Sequence, residues 1–253
     1  MTLAGTWVID LDGVVWLTGE PIAGGSAAVR RLAEVGVRAL MVTNNSAPTV
    51  AELQQRLRHC DIDSPPGDVV SSADAVATML EPGSSALLLA EGGVVEALGT
   101  RGVRIVAEGP ADAVVVGWTH DFTFHSLAAA ATAVRNGSRL VGTNEDPTHP
   151  TPDGLLPGSG ALLAAVSVAA GVSPEVAGKP HRPIVDVVAG RAADVSLVVG
   201  DRPSTDGALA RQLGVPYALV LSGVTAPGGD YGTPAPEYVA ADLGALVEQI
   251  FPV

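Results

Sequence analysis

Trp7-Val8-Ile9-Asp10-Leu11-Asp12-Gly13 is the stretch on which the fold turns. Three large apolar residues make a short strand, and the chain then meets two acids spaced by two. That spacing puts both carboxylates on one side of the chain at the strand's carboxyl end, where open α/β sheets bind ligands. Two acids so placed can hold a divalent cation and can also do nucleophilic or acid–base work. Taken alone, the same residues also fit a turn in which Asp10 caps and Asp12 sits beside Gly13, as Asp-Gly pairs often do. The rest of the chain separates the two readings.

From end to end, apolar runs alternate with amphipathic helical patterns, the signature of βα units around a mostly parallel sheet. The patterns predict a strand over 6–10, a helix over 25–36, a strand over 38–43 and a helix over 50–59. Thr43-Asn44-Asn45-Ser46 therefore lies at a strand end just before a helix, where free backbone N–H groups and the helix dipole suit a phosphate, or where Asn and Ser simply cap. Further on, a strand over 195–199 ends at Gly200-Asp201-Arg202-Pro203-Ser204-Thr205-Asp206, followed by a helix to about 214 and a strand over 217–221. Acids again stand at a strand's carboxyl end, although Asp201 and Asp206 could each cap the helix that follows.

Between these halves lies a second αβ pattern: strands over 86–90, 103–106, 113–117 and 139–143, with helices over 94–98 and 124–136. It has enough elements for a small sheet of its own. Pro82-Gly83 and Ser173-Pro174 are turn signals that put its limits near 79 and 175, leaving 1–78 and 176–253 as two parts of one core. Glu91-Gly92-Gly93 lacks the further glycines of a nucleotide-binding loop and reads as a strand-to-helix turn.

The composition narrows the partners. The 253 residues carry a formal charge of −13, which repels nucleic acid and anionic membrane surfaces but leaves room for a small anionic substrate where cations gather locally. Hydrophobic content is 47% with only three each of Trp, Tyr and Phe, so the core is built mainly of Ala, Val and Leu. A single cysteine, Cys60, precludes an intrachain disulfide and reads as a small apolar filler near a helix end. No stretch reaches the roughly 18 apolar residues of a membrane span, and the N-terminus lacks a basic segment followed by a long apolar run. These features point to a cytoplasmic protein. Of the 14 cationic residues, Lys179 alone is lysine; an ammonium is a compact point charge that a planar guanidinium cannot replace where space is tight.

Taken in order, Asp10 and Asp12, Thr43-Asn44-Asn45, Gly178-Lys179-Pro180 and Gly200-Asp201…Asp206 resemble the four motifs of the haloacid dehalogenase superfamily of phosphohydrolases. Only about a dozen residues separate Gly13 from the next helix, and a domain needs on the order of 50, so no cap fits there. The long stretch between Thr43 and Lys179 must hold it. With Thr143-Asn144-Glu145-Asp146-Pro147-Thr148-His149-Pro150 and Pro152-Asp153-Gly154-Leu155-Leu156-Pro157-Gly158, that arrangement looks like the subfamily of nitrophenylphosphatase-like, nucleotidase and phosphoglycolate or glycerol-phosphate phosphatases.

The resemblance implies an α/β fold, a Rossmann-like parallel-sheet core with an inserted αβ cap between the second and third motifs. It implies Mg²⁺-dependent hydrolysis of a small phosphorylated metabolite: Asp10 as nucleophile forming an aspartyl phosphate, Asp12 protonating the leaving alcohol and then activating water, and Asp10, Asp201 and the Asp12 carbonyl binding the metal. Thr43 bonds the phosphoryl group, Asn44 offers a backbone N–H, Asn45 lies towards the leaving group, and Lys179, oriented by Asp206, supplies a second positive charge. His149, in the loop over 146–150, is the candidate for leaving-group recognition; its alternative is a solvent-exposed loop histidine. A homodimer through the cap is a further expectation. Pro203 and Gly207 depart from the family, which more often has large apolar residues there. His120-Asp121 reads as a loop pair, His125 and His181 as solvent-facing, and Trp16 as packing the loop after the first motif. The competing functions are a phosphoaspartate signalling protein, which the large insertion disfavours, and a catalytically silent sugar-phosphate binding module, which would lack an essential residue.

Overall fold

The computed structural model describes residues 3–151, 154–228 and 231–252; Pro152 and Asp153, quoted above, lie outside them. The chain forms two compact units, one of Met1–Thr43, Ala51–Val70 and Val185–Val253, the other of Asn44–Val50 and Ser71–Ile184.

The first unit is built on a six-stranded sheet in the order Tyr238–Ala240, Tyr217–Val220, Val195–Gly200, Gly5–Ile9, Val37–Thr43, Val69–Ser71. Its pairings from Tyr238–Ala240 through Val37–Thr43 are parallel. Trp7, Val8 and Ile9 are buried, as the central strand of a sheet covered on both faces requires. Helix Gly25–Glu34 buries Ala28 and Leu32, and helix Val50–His59 buries Leu53 and Leu57, spaced four apart on one face. Leu32 and Leu57 are fully buried, each worth about 1.5–3 kcal/mol relative to exposure. Cys60 packs into this core just past its helix, where burial first, then Asp61 and Glu20, raise its thiol above the ordinary value.

The strand order sets the site. From the central Gly5–Ile9 strand the chain moves to Val37–Thr43 on one side, whereas Val195–Gly200 pairs with it on the other. The order of strands thus reverses between Gly5–Ile9 and Val195–Gly200, and the crevice beyond their carboxyl ends is where sheets of this kind hold ligands.

The second unit has its own parallel sheet, ordered Glu175–Val176, Arg139–Gly142, Ala113–Val116, Ser85–Leu89, Arg104–Val106. Leu87, Leu89, Val114, Val116 and Leu140 from its strands meet Ala130, Val134, Leu163 and Val166 from helices Phe124–Arg135 and Ser159–Ala170. Thr123 caps the first of these helices, accepting from Ser126 N at 3.1 Å while Thr123 N donates to Ser126 Oγ at 2.9 Å. Arg139 is held to Glu175 on the next strand at 2.8 Å; this pairing keeps the Glu175 carboxyl below its usual range.

This unit reaches beyond the limits expected near 79 and 175. Helix Ser72–Thr78 packs against helix Gly92–Arg101, and the Asn44–Val50 loop is bonded in: Gly93 N donates to Ala47 O at 2.8 Å and Ser46 Oγ to Thr143 Oγ1 at 3.1 Å. Ala177 N and Gly178 N continue the ladder to Gly142 O and Thr143 O at 3.0 and 2.8 Å. Among the described residues no helix is long and apolar enough to cross a membrane.

Candidate active site

In the first unit the two N-terminal acids leave the strand as the sequence suggests, and they then part company. Ile9 pairs with Val199, and Asp10 N donates to Val199 O at 2.9 Å, so Asp10 stands beside the end of the neighbouring strand. Its Oδ1 accepts Leu11 N at 2.8 Å. One carboxylate oxygen from each of Asp10, Asp201 and Asp206 gathers within 4.8 Å of the others. Asp12 turns elsewhere: Oδ1 accepts the indole N–H of Trp16 at 2.9 Å, and Oδ2 faces the Thr43 hydroxyl at 3.4 Å. Trp16 does pack the loop, being buried in the core, but its indole also holds Asp12.

Asp201 is fixed from several sides. Its Oδ2 accepts Val224 N at 2.7 Å, and its carbonyl accepts the Thr225 hydroxyl. Two glycines close around the carboxylate. A Cβ on Gly13 would stand 2.5 Å from Asp201 Oδ2 and one on Gly223 only 2.0 Å from it. Gly13 also has φ +85°, a conformation that L side chains rarely adopt. Its carbonyl accepts the Ser222 hydroxyl at 2.7 Å, tying the first acidic loop to the loop after strand Tyr217–Val220.

Asp206 lies in a π-helical turn, Pro203–Gly207, that precedes helix Ala208–Leu213. Its Oδ2 accepts Arg202 N at 3.1 Å, and its carboxyl carbon would be 2.1 Å from a Cβ on Gly200. Behind this turn sits Tyr217, fully buried, its hydroxyl donating to Gly200 O at 3.3 Å. Burial first, then the charges of Asp206, Asp201 and Asp10, push the phenol far above its ordinary value, so it stays protonated and a donor.

The second unit holds the other candidates. Asn44 is buried, and its side chain grips the backbone of Lys179 at both ends: Lys179 N donates to Asn44 Oδ1 at 2.7 Å, while Asn44 Nδ2 donates to Lys179 O at 3.2 Å. The same Nδ2 reaches Asp146 Oδ2 at 3.1 Å. The Asn44 carbonyl accepts Asn144 Nδ2 at 2.7 Å and the Ser72 hydroxyl at 2.6 Å. Lys179 is buried, and Lys179–Pro180 is a cis peptide bond. Asn45 Oδ1 accepts Ala47 N at 3.1 Å, shaping the loop. His149 lies 4.9 Å from the Trp118 ring, which meets His120 on its edge at 4.3 Å. His120 in turn faces Glu91 at 3.2 Å, His181 pairs with Glu145 at 2.8 Å, and His125 is exposed.

Sequence reasoning named Asp10, Asp201 and Asp206, but it missed the groups around the site: Trp16 on Asp12, Val224 and Thr225 on Asp201, Tyr217 on the Gly200 carbonyl and, in the second unit, Asp146 on Asn44. One signal was available. Ser222-Gly223-Val224-Thr225 follows a strand just as Asp10-Leu11-Asp12-Gly13 does, and the same rule of strand ends applies to it. Chemically, three carboxylates form a hard-oxygen cluster, and two glycines leave it close-packed on the loop side; such a donor set suits a small divalent cation.

Residues 7–104 match the family model described as haloacid dehalogenase-like hydrolase, and residues 176–246 match the HAD-hydrolase-like model. A D-glycerol 3-phosphate phosphatase of Mycobacterium tuberculosis is 39% identical over 250 residues, 94% of this chain and 70% of that protein. An acid sugar phosphatase of Staphylococcus aureus is 37% identical over 226 residues, 87% of each. Among solved structures, a p-nitrophenyl phosphatase from Archaeoglobus fulgidus matches with a TM-score of 0.89 at 29% identity, over 97% of this chain and 99% of that one. The M. tuberculosis glycerol phosphate phosphatase, solved with magnesium, matches with a TM-score of 0.88 at 35% identity, over 96% of this chain and 76% of that one.

The chain belongs to the haloacid dehalogenase-like hydrolase family. Its parallel core sheet and separately folded, inserted parallel sheet are those of the family's type IIA. Within that group it is a phosphatase.

Proposed function

We propose that this phosphatase hydrolyses small phosphate monoesters of the sugar, polyol or nucleoside monophosphate class through a phosphorylated Asp10. The observation that carries the reading is the gathering of Asp10, Asp201 and Asp206 at the point where the core strand order reverses. The names borne by the relatives, glycerol 3-phosphate and acid sugar phosphatases, support the substrate class.

Asp10 attacks phosphorus through a carboxylate oxygen, and the bond from phosphorus to the substrate oxygen breaks. The departing alkoxide takes its proton from Asp12. Because Oδ1 of Asp12 already accepts the Trp16 indole N–H, that proton rides on Oδ2, the oxygen facing Thr43. Water then attacks the phosphorus of the aspartyl phosphate and returns a proton to Asp12. Cleavage of the acyl phosphate frees inorganic phosphate and regenerates the Asp10 carboxylate. Thr43 and the Asn44 backbone N–H bond the phosphoryl oxygens, Lys179 supplies a second positive charge, and Asn45 and His149 serve the leaving group. Asp10, Asp201 and the Asp12 carbonyl would hold Mg²⁺, which when bound would neutralise charge on the phosphoryl oxygens.

The experiment is phosphate release with Mg²⁺ over a panel of glycerol, sugar and nucleoside monophosphates and nitrophenyl phosphate, for wild type and Asp10→Asn. Turnover of at least one natural ester, lost in Asp10→Asn with the circular dichroism spectrum unchanged, is expected. Near wild-type release by Asp10→Asn overturns the nucleophile, and no release from any ester overturns the substrate class.

A further inference from the structure

Among the described residues Tyr217 is the one buried tyrosine, it lies behind the acid cluster, and three contacts define its place. Its backbone is clamped by Glu237, with Tyr217 N donating to Glu237 Oε2 at 2.7 Å and Glu237 N donating to Tyr217 O at 2.9 Å. The ring lies over Gly207, where an added Cβ would stand 3.1 and 3.2 Å from ring carbons Cδ1 and Cε1, tighter than most real contacts. At the far end the hydroxyl meets the carbonyl of Gly200, whose peptide leads directly into Asp201.

That carbonyl has few ways to turn. Asp206 crowds the Cα of Gly200 from one side, so no side chain fits there, and Tyr217 engages its oxygen. The peptide joining Gly200 to Asp201 is thus held at its oxygen by the phenol, while the Asp206 carboxylate packs against the Gly200 Cα. A rotation of this peptide would carry the Asp201 carboxylate away from Asp10.

We propose that Tyr217 is a positioning residue for the acid cluster: its ring occupies the hollow left by Gly207, and its hydroxyl, by holding Gly200 O, sets the direction in which Asp201 presents its carboxylate. The role is specific to this juxtaposition. A bare aromatic ring fills the hollow as well as a phenol does, so packing and positioning are separable by the hydroxyl alone. Gly207 belongs to the same device from the other side, since a Cβ there would crowd the ring at 3.1 and 3.2 Å and Pro234 Cγ at 3.2 Å, so that the ring or the proline must give way by a few tenths of an ångström.

This rests on the reading of the acid cluster as the Mg²⁺ site, and the experiment separates the two. Mg²⁺ affinity is measured by isothermal titration on wild type, Tyr217→Phe, Gly207→Ala and the double variant, at a temperature where all four are folded by circular dichroism. Tyr217→Phe keeps the ring and drops the hydroxyl; loss of one buried hydrogen bond predicts about three- to tenfold weaker Mg²⁺ binding. Gly207→Ala weakens binding by about two- to threefold in the wild-type background and has no further effect once Tyr217 is Phe, because no hydroxyl remains to displace. Equal Mg²⁺ affinity for wild type and Tyr217→Phe, or an equal loss from Gly207→Ala in both backgrounds, overturns the positioning role while leaving the metal site in place. No Mg²⁺ uptake by wild type overturns both. Tyr217→Phe would lower the melting temperature under a purely structural role as well, which is why affinity and not stability is the readout.

Discussion

Exchanging the polar groups around Asn44 tests how Lys179 is held. Asn44→Asp preserves shape and the acceptor for Lys179 N, but replaces the Nδ2 donor with an oxygen aimed at Lys179 O and at Asp146 Oδ2, 3.1 Å away. Two carboxylates at that separation repel by about 3–5 kcal/mol at an effective dielectric of roughly 20–40, since Asn44 is buried and Asp146 half-buried. The lost bond to the Lys179 carbonyl adds about 1 kcal/mol. Urea unfolding at pH 8 should show about 4–6 kcal/mol lost. The sign with pH follows from the charge. Repulsion raises the folded-state pKa of the carboxyl pair above its unfolded value, so the deficit is full at high pH and shrinks as pH falls through that raised value. Adding Asp146→Asn to Asn44→Asp restores a donor facing an acceptor and should recover most of the loss, with nitrophenyl phosphate turnover recovering alongside it. Wild-type stability of Asn44→Asp at pH 8, or a double variant no better than the single, would refute the arrangement of Asn44 between Asp146 and Lys179.

Three shorter expectations concern the proposed chemistry. Lys179→Arg keeps the charge but widens it into a planar fork, and steady-state kinetics should show a loss of order 10²-fold or more; an unchanged rate would mean no phosphoryl contact. Trp16→Phe removes the N–H held by Asp12 Oδ1 and should lower kcat by about 10-fold or more with KM nearly unchanged, whereas a change in KM alone would place Asp12 outside proton transfer. His149→Ala should alter kcat/KM unequally among natural esters and hardly at all for nitrophenyl phosphate, whose leaving group needs little help; a uniform effect, or none, would take His149 out of specificity.

Much of this was legible because strand ends and strand periodicity leave marks in sequence. The runs around Trp7, Met41, Leu197 and Ala218 are apolar on both faces, and each was placed within one or two residues of its strand. Helix Ser159–Ala170 left no mark, because Gly160 to Ala170 is small or apolar on every side and carries no amphipathic period. Two- and three-residue strands such as Val69–Ser71 and Glu175–Val176 are too short for any period to register. At the site, residue types pointed to acids but not to their orientation. Nothing in Asn44 announces that its side chain serves the backbone of a residue far along the chain. The departure at Gly207 was visible, yet its counterpart, the Tyr217 ring, became apparent only once the two strands and the π turn were in place.

The central strand carries a further consequence, one of timing. Its neighbour on one side, Val37–Thr43, follows closely in sequence, whereas the Thr6 hydroxyl meets Asp194 across 188 residues. At synthesis rates of about 5–20 residues per second, the nascent chain waits roughly 10–40 s before that partner emerges, and the whole second unit is made in the interval. Trp7, Val8 and Ile9 then present an open apolar strand edge, the kind of surface that pairs with the wrong chain. Ribosome-bound chains stopped short of Val195 should therefore bind chaperones through this segment, and release should coincide with the arrival of the strand that bears Asp201 at its end.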